Sequence, residues 1–240
     1  MSKPLRVLGV LGGMGPLATV DFLKKLIEET PASRDQEHIP VIAYSVPQMP
    51  DRPPAITGHG ESPLPHMLAG IRTLKHAGAQ AIAIACNTAH YWFDDLVQQG
   101  GLPILHIADT ACAALGGQTG QNVQPVKRLG LIATKGTVAA GFYQSRFATR
   151  SLECILSSER DQDALVLPAI ECVKRSDLAQ AHALATQAAR HLLDRGAQAI
   201  VLGCTEIPLA IEYQTSDVSD RCIDATRALA RACVAWWRTA

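Results

Sequence analysis

The pentapeptide Gly-Ala-Gln-Ala-Ile occurs twice in this chain, at residues 78–82 and again at 196–200, and each copy leads into a cysteine four residues later, Cys86 or Cys204. A threonine follows each cysteine closely, Thr88 or Thr205. A repeated approach to one residue type, far apart in a single chain, constrains the fold to two related halves. The repeat is wider than the pentapeptide. At a shift of 121 residues, Gly9 aligns with Gly130, Gly15 with Gly136, Ala18 with Ala139 and Phe22 with Tyr143. With small drifts in register, Pro47 aligns with Pro168 and Arg52 with Lys174. Each half thus contains a strand ending in a Gly turn, a Pro-flanked segment carrying a cation, and a strand ending in cysteine.

Short apolar runs alternate with longer stretches of helical periodicity. Strands are predicted at 6–11, 41–46, 81–85, 104–107, 129–133 and 200–203, and helices at 17–29, 65–76, 178–195 and 225–237. Strand–helix alternation at this spacing predicts an α/β protein: two similar Rossmann-like lobes with parallel sheets, related by a pseudo-two-fold axis, with an active site in the cleft between them. The expected lobes are residues 1–107 plus 212–240, and residues 108–211. Residues 47–65, rich in Pro, Gly and polar groups, read as a long loop with a functional role.

Composition narrows the function. Hydrophobic residues at 48% allow a sizeable core, and 22 basic against 22 acidic residues offer no net field for nucleic acid or an anionic membrane. No apolar run approaches the ~20 residues that cross a bilayer. The N-terminal segment has basic residues before an apolar run, but the run is short and enters a Gly turn, so the chain reads as cytoplasmic. The seven cysteines lack the close spacing of a metal site, and in a reducing compartment they are expected as free thiols.

In open parallel sheets, ligands sit beyond the carboxyl ends of the strands. Cys86 and Cys204 are expected there, facing one cleft from opposite sides. A free cysteine is more often a small buried hydrophobe, and Cys112, Cys154, Cys172, Cys222 and Cys233 are read that way. The repeated pair is different. Disulfide exchange needs adjacent thiols, and metal binding needs more ligands than His90 alone provides. Removing a proton from one face of a carbon and returning one to the other face fits two opposed thiols. One must be thiolate, against an ordinary pKa near ~8.5. The hydroxyls of Thr88 and Thr205 and the amide of Asn87 are candidate hydrogen-bond donors to it. Arg52 and Lys174, as a symmetric pair, suit an anionic guest such as a dicarboxylate. Gly13-Met14-Gly15-Pro16-Leu17-Ala18 formally matches a dinucleotide fingerprint, but the next strand does not end in an acidic residue to hold a ribose, and Pro16 fits the first turn of a helix.

These segments together carry a resemblance: GGMGPLAT at 12–19, RDQEH at 34–38, Pro50-Asp51-Arg52, CNTAH at 86–90 and GCTE at 203–206. The chain resembles the aspartate racemases of the aspartate/glutamate racemase superfamily from about residue 5 to about residue 224. The resemblance implies a cofactor-independent racemase with Cys86 and Cys204 catalytic, and with no metal or pyridoxal phosphate. It implies substrate contacts at Arg52, Lys174, Asn87 and Thr88, with Met14, Ala89, Thr134, Thr205 and Glu206 completing the expected site, and a homodimer. Glutamate racemases carry Asp-Ser in the first Gly turn and His after the second Cys-Thr, where this chain has Gly13-Met14 and Glu206. Lys135 stands where relatives have a second threonine, which leaves broad-specificity racemisation open. A non-catalytic dicarboxylate-binding protein is the reading from another class; it would need the cations but not both thiols.

Overall fold

The structure is a computed structural model that describes residues 6–115 and 126–239. Its described residues form two compact units. One runs to Ile107 and resumes at Thr226; the other is Ala108–Ala225.

The first unit contains β1 (Leu8–Gly12), α1 (Pro16–Glu29), β2 (Val41–Ser45), α2 (Arg52–Ile56), α3 (Leu64–His76), β3 (Ala81–Ile84), α4 (Phe93–Gly100) and β4 (Ile104–Leu105). Its four parallel strands are ordered β2-β1-β3-β4. The second unit opens with α5 (Ile107–Leu115, whose first residue is still in the first unit) and continues through β5 (Arg128–Ile132), α6 (Lys135–Ala140), α7 (Phe142–Ala148) and β6 (Glu153–Leu156). It then runs through α8 (Glu159–Asp161), a π turn at Gln162–Val166, α9 (Leu167–Lys174), α10 (Leu178–Asp194), β7 (Ala199–Leu202), α11 (Ile207–Glu212) and β8 (Cys222–Asp224). Its strands are also parallel, in the equivalent order β6-β5-β7-β8. The chain returns to the first unit in α12 (Ala225–Arg238).

The repeat holds at the level of register. Gly9 pairs with Ile82 in the first sheet and Gly130 with Ile200 in the second. Packing crowds both glycines. A Cβ on Gly9 would stand 2.9 Å from the Ala79 Cβ and 3.3 Å from the Leu74 Cβ; one on Gly130 would stand 3.3 Å from the Ala197 Cβ and 3.2 Å from the Leu192 Cβ. Ala79 and Ala197 belong to the two copies of the repeated pentapeptide, so the same helix end rests on the same strand position in each unit.

Each unit has its own core. In the first, Met67, Ile71 and Leu74 of α3 are fully buried against Leu11, Ile82 and Ile84; each such side chain contributes roughly 1.5–3 kcal/mol by leaving water. In the second, α10 presents Ala181, Ala185, Ala188 and Ala189 inward, and these small residues let the helix approach the neighbouring elements closely. Pro168 lies at the start of α9. It has no N–H for the carbonyl four residues back, and the helix widens into the π turn just before it.

Three expectations need correction. Residues 212–225 belong to the second unit, because β8 pairs with β7 and only α12 returns. The expected loop at 47–65 contains α2, whose Pro53 and Pro54 fall in the first turn, where a missing N–H costs nothing. Arg52 and Lys174 are not equivalent in the repeat. Register makes Val41 the counterpart of Cys154, since these pair with the equivalent Leu8 and Leu129. Arg52 therefore opens the short helix after β2, whereas Lys174 closes α9, beyond the π turn.

Candidate active site

In the first unit, the β1–α1 turn and the end of β3 are neighbours, because the two strands pair side by side. Gly13 takes φ of +93° and lies against the backbone of Val46, so no side chain fits there. Thr19 closes the turn: its Oγ1 accepts from the Gly13 N–H at 2.8 Å and donates to the Gly15 carbonyl at 2.9 Å. Gly15 caps α1, and Pro16 supplies its first turn.

Cys86 follows β3 and is buried, as are Asn87, Thr88 and Ala89. Thr88 and Ala89 lie in a 3-10 turn at Thr88–Trp92. His90 Nδ1 lies 2.9 Å from the Cys86 carbonyl, and its Nε2 is 3.3 Å from the Ile107 N–H. A carbonyl can only accept and an amide N–H can only donate, so the ring is neutral with its proton on Nδ1. Both nitrogens are thereby engaged, which removes His90 as a metal ligand; among the described residues no group of His, Cys, Asp and Glu is placed to hold a metal ion.

Helix α2 packs against the turn that follows Cys86. Its first residue, Arg52, has a side chain only 12% exposed. Nη1 donates to the Pro50 carbonyl at 3.1 Å and Nη2 reaches the Met14 carbonyl at 3.5 Å, tying Arg52 to the Gly turn. Nε is buried with no hydrogen-bond partner, and among the described residues the carboxylate paired with Arg52, exposed Asp51, is 3.9 Å away. A largely enclosed guanidinium with an unused buried donor and a weak counter-ion is poised for an anion.

In the second unit, β7 delivers Gly203, Cys204, Thr205 and Glu206. A Cβ on Gly203 would stand 2.7 Å from Leu131 Cδ1, so a glycine precedes the cysteine for packing reasons. Cys204 Sγ donates to Glu206 Oε2 at 3.1 Å, and Thr205 Oγ1 donates to the same oxygen at 3.1 Å. All three residues are buried. On the adjacent strand end, Thr134 caps α6 by accepting from the Thr137 N–H at 3.1 Å. Lys135 is paired with Asp163. Lys174 is exposed and makes no ion pair among the described residues.

Met14, Arg52, Cys86, Asn87, Thr88 and Ala89 are thus gathered at one end of the first sheet. Thr134, Cys204, Thr205 and Glu206 are gathered at the corresponding end of the second, and Lys174 is exposed at the C-terminal end of α9. Burial acts on four of the cysteines outside this repeated pair. Burial pushes the Cys154 thiol up to about 11. It pushes Cys222 up to about 12, with the Asp224 charge adding to it. Burial also raises Cys112 and Cys233. These thiols stay protonated and inert. The role of His90 was not legible as such; its spacing of four from Cys86 was the available signal.

The family model for Asp/Glu/hydantoin racemase matches residues 11–233. The chain belongs to the Asp/Glu/hydantoin racemase family. Among racemases of known structure, the aspartate racemase of Picrophilus torridus superposes with a TM-score of 0.83 at 30% identity, covering 97% of this chain and 94% of that one. A glutamate racemase from Francisella tularensis, solved with D-glutamate, shares the fold at a TM-score of 0.69 and 16% identity, over 98% and 82% of the two chains. In sequence, the broad specificity amino-acid racemase RacX of Bacillus subtilis is 26% identical over 234 residues, 95% of this chain and 96% of its own. These racemases share the α/β architecture of parallel sheets found in both units here. Among the described residues, no helix of this family member is long and apolar enough to cross a membrane.

Proposed function

We propose that this racemase interconverts L- and D-aspartate with two cysteines as its acid and base. The observation that carries the reading is positional: Cys86 and Cys204 each lie two residues past the end of the equivalent strands, β3 and β7, of two units that share strand order and register. One cysteine thiolate takes the Cα proton, and the other thiol delivers its own proton to the opposite face. The carbon inverts, and the two sulfurs exchange roles. No bond to a cofactor is needed, because the two proton transfers complete the reaction.

The difficult step is ionising a carbon next to a carboxylate, a poor electron sink. Arg52 holds one substrate carboxylate, with Lys174 supplying a second cation. Asn87, Thr88, Ala89, Met14 and Thr134 offer hydrogen bonds and walls around the substrate, and Thr205 and Glu206 support the second cysteine. As the family resemblance implies, the working species is a homodimer, which sedimentation of the purified chain measures. Decarboxylation in a related fold would need one cysteine, so the filled pair speaks for racemisation.

Chiral chromatography after incubation with a panel of L-amino acids, without added cofactor, tests the reading. Aspartate should be the preferred substrate, and Cys86→Ala and Cys204→Ala should each abolish turnover. In D₂O, early D-aspartate should carry deuterium at Cα while unreacted L-aspartate stays protiated. Comparable rates on neutral amino acids would favour the broad-specificity reading, which the similarity to RacX over 95% of the chain supports. Racemisation surviving in either cysteine variant would sink the two-base assignment.

A further inference from the structure

Glu206 Oε2 accepts two hydrogen bonds at once, from the Cys204 thiol and from the Thr205 hydroxyl, each at 3.1 Å. Cys204 and Glu206 are each 5% exposed, so little water intervenes. In this arrangement the shared proton sits on sulfur. Removing it would leave a thiolate and a carboxylate in contact in a poorly solvated site, and like charges held this closely disfavour ionisation of the second group. Tyr143 is a further titratable group within electrostatic reach of Cys204. Tyr143 of α7 is fully buried, and burial first, then the Cys112, Asp224 and Cys204 charges, push its hydroxyl well above its usual value. Arg146, a cation near Tyr143, is engaged by Asp109 at 2.7 Å. In the first unit no acidic side chain hydrogen-bonds Cys86 Sγ among the described residues, so the two cysteines are not in matched surroundings.

We infer that Glu206 is a positioning residue that retains the proton on Cys204, so that in the substrate-free chain Cys204 rests as the acid of the pair. The inference rests on the two-cysteine reading for its catalytic meaning but not for its test. When Cys86 acts as the base, Cys204 gives its S–H proton to the opposite face of the carbon and finishes as a thiolate beside Glu206. The reverse direction must start from that disfavoured form. Enantiomers have equal free energy, so kcat/KM is the same in both directions at every pH. The asymmetry must therefore show in the separate constants: the enantiomer that needs the Cys204 thiolate has the higher KM, with a proportionally higher kcat.

The primary test uses no substrate. Thiolate ultraviolet absorbance is titrated against pH in Cys86→Ser chains carrying Glu206, Glu206→Gln or Glu206→Asp. With Gln, the midpoint of one thiol should fall by about one pH unit or more, a tenfold rise in thiolate fraction at a fixed pH below the midpoint. With Asp, whose shorter side chain draws the carboxylate back, the fall should be smaller. An unchanged midpoint would overturn the inference, and so would a rise, which would make Glu206 a promoter of the thiolate. In the otherwise native chain, Glu206→Gln should bring the KM values of the two enantiomers together. A difference in KM that persists undiminished would also overturn it. Loss of racemisation with the expected thiol titration would instead implicate the two-base reading.

Discussion

His90 Nδ1 lies 2.9 Å from the carbonyl oxygen of Cys86, and the same ring accepts the N–H of Ile107 on its other nitrogen. The imidazole therefore braces the turn that follows Cys86 against the start of α5. His90→Ala leaves a buried carbonyl and a buried N–H without these partners, at a cost of about 1–3 kcal/mol for each group that water does not reach. Chemical denaturation should show a lower midpoint, and racemisation should fall because Cys86 loses its fixed position. Wild-type stability in this variant would mean that the bonds are replaced by solvent.

Gly9 and Gly130 occupy the same register position, but not with the same slack. A Cβ at Gly9 meets Ile82 Cδ1 at 2.8 Å and Ala79 Cβ at 2.9 Å; at Gly130 the nearest atoms are Leu192 Cδ1 at 3.1 Å and Leu192 Cβ at 3.2 Å. Overpacking of this kind costs about 1–3 kcal/mol. Gly9→Ala should be the more destabilising of the two, read as a larger drop in urea midpoint at an unchanged m-value. The opposite order would show that the first unit yields more easily than its contacts indicate.

Acid stability has a structural source in the first unit. Burial pulls the Glu29 carboxyl up, but hydrogen bonds from Arg231 at 2.6 Å and Arg227 at 3.0 Å outweigh it and hold the group below its usual value of 4.5. A carboxyl lowered by folding stabilises the protein fully above its unfolded value, and that contribution disappears as pH falls through the lower folded value. Glu29→Gln should therefore be less stable than wild type at neutral pH, and the two unfolding curves should converge as pH drops below about 4. A gap that persists at lower pH would point to packing rather than charge.

Arg52 is held by the carbonyls of Pro50 and Met14, with a buried Nε that has no partner. Arg52→Lys keeps the charge but loses the planar fork and the ties to the Gly turn. Arg52→Ala should cost roughly 1.5–3 kcal/mol in kcat/KM for aspartate, and Arg52→Lys should recover only part of it. Equal activity in all three proteins would remove Arg52 from the substrate site.

The amino-acid sequence by itself determined the two-fold repetition and most of the central framework. The runs around β1, β3, β5 and β7 are apolar because parallel strands are buried on both faces, and Gly turns punctuate them. The repeated Gly-Ala-Gln-Ala-Ile is legible for the same reason: its alanine must clear a backbone glycine on the neighbouring strand, and that requirement is written in adjacent letters. Cys86 and Cys204 stood out because they share this context. Only the tertiary structure decided what depends on partners distant in the chain. The edge strands β6, Glu-Cys-Ile-Leu, and β8, Cys-Ile-Asp, are too short and mixed to announce themselves, and they become strands by pairing with β5 and β7. That pairing moves residues 212–225 into the second unit and breaks the apparent equivalence of Arg52 and Lys174, because strand register rather than residue type defines corresponding positions. The carboxylate of Glu206 reaches the Cys204 sulfur, and the ring of His90 spans from Cys86 to Ile107, through folded side-chain geometry that linear spacing can suggest but not determine.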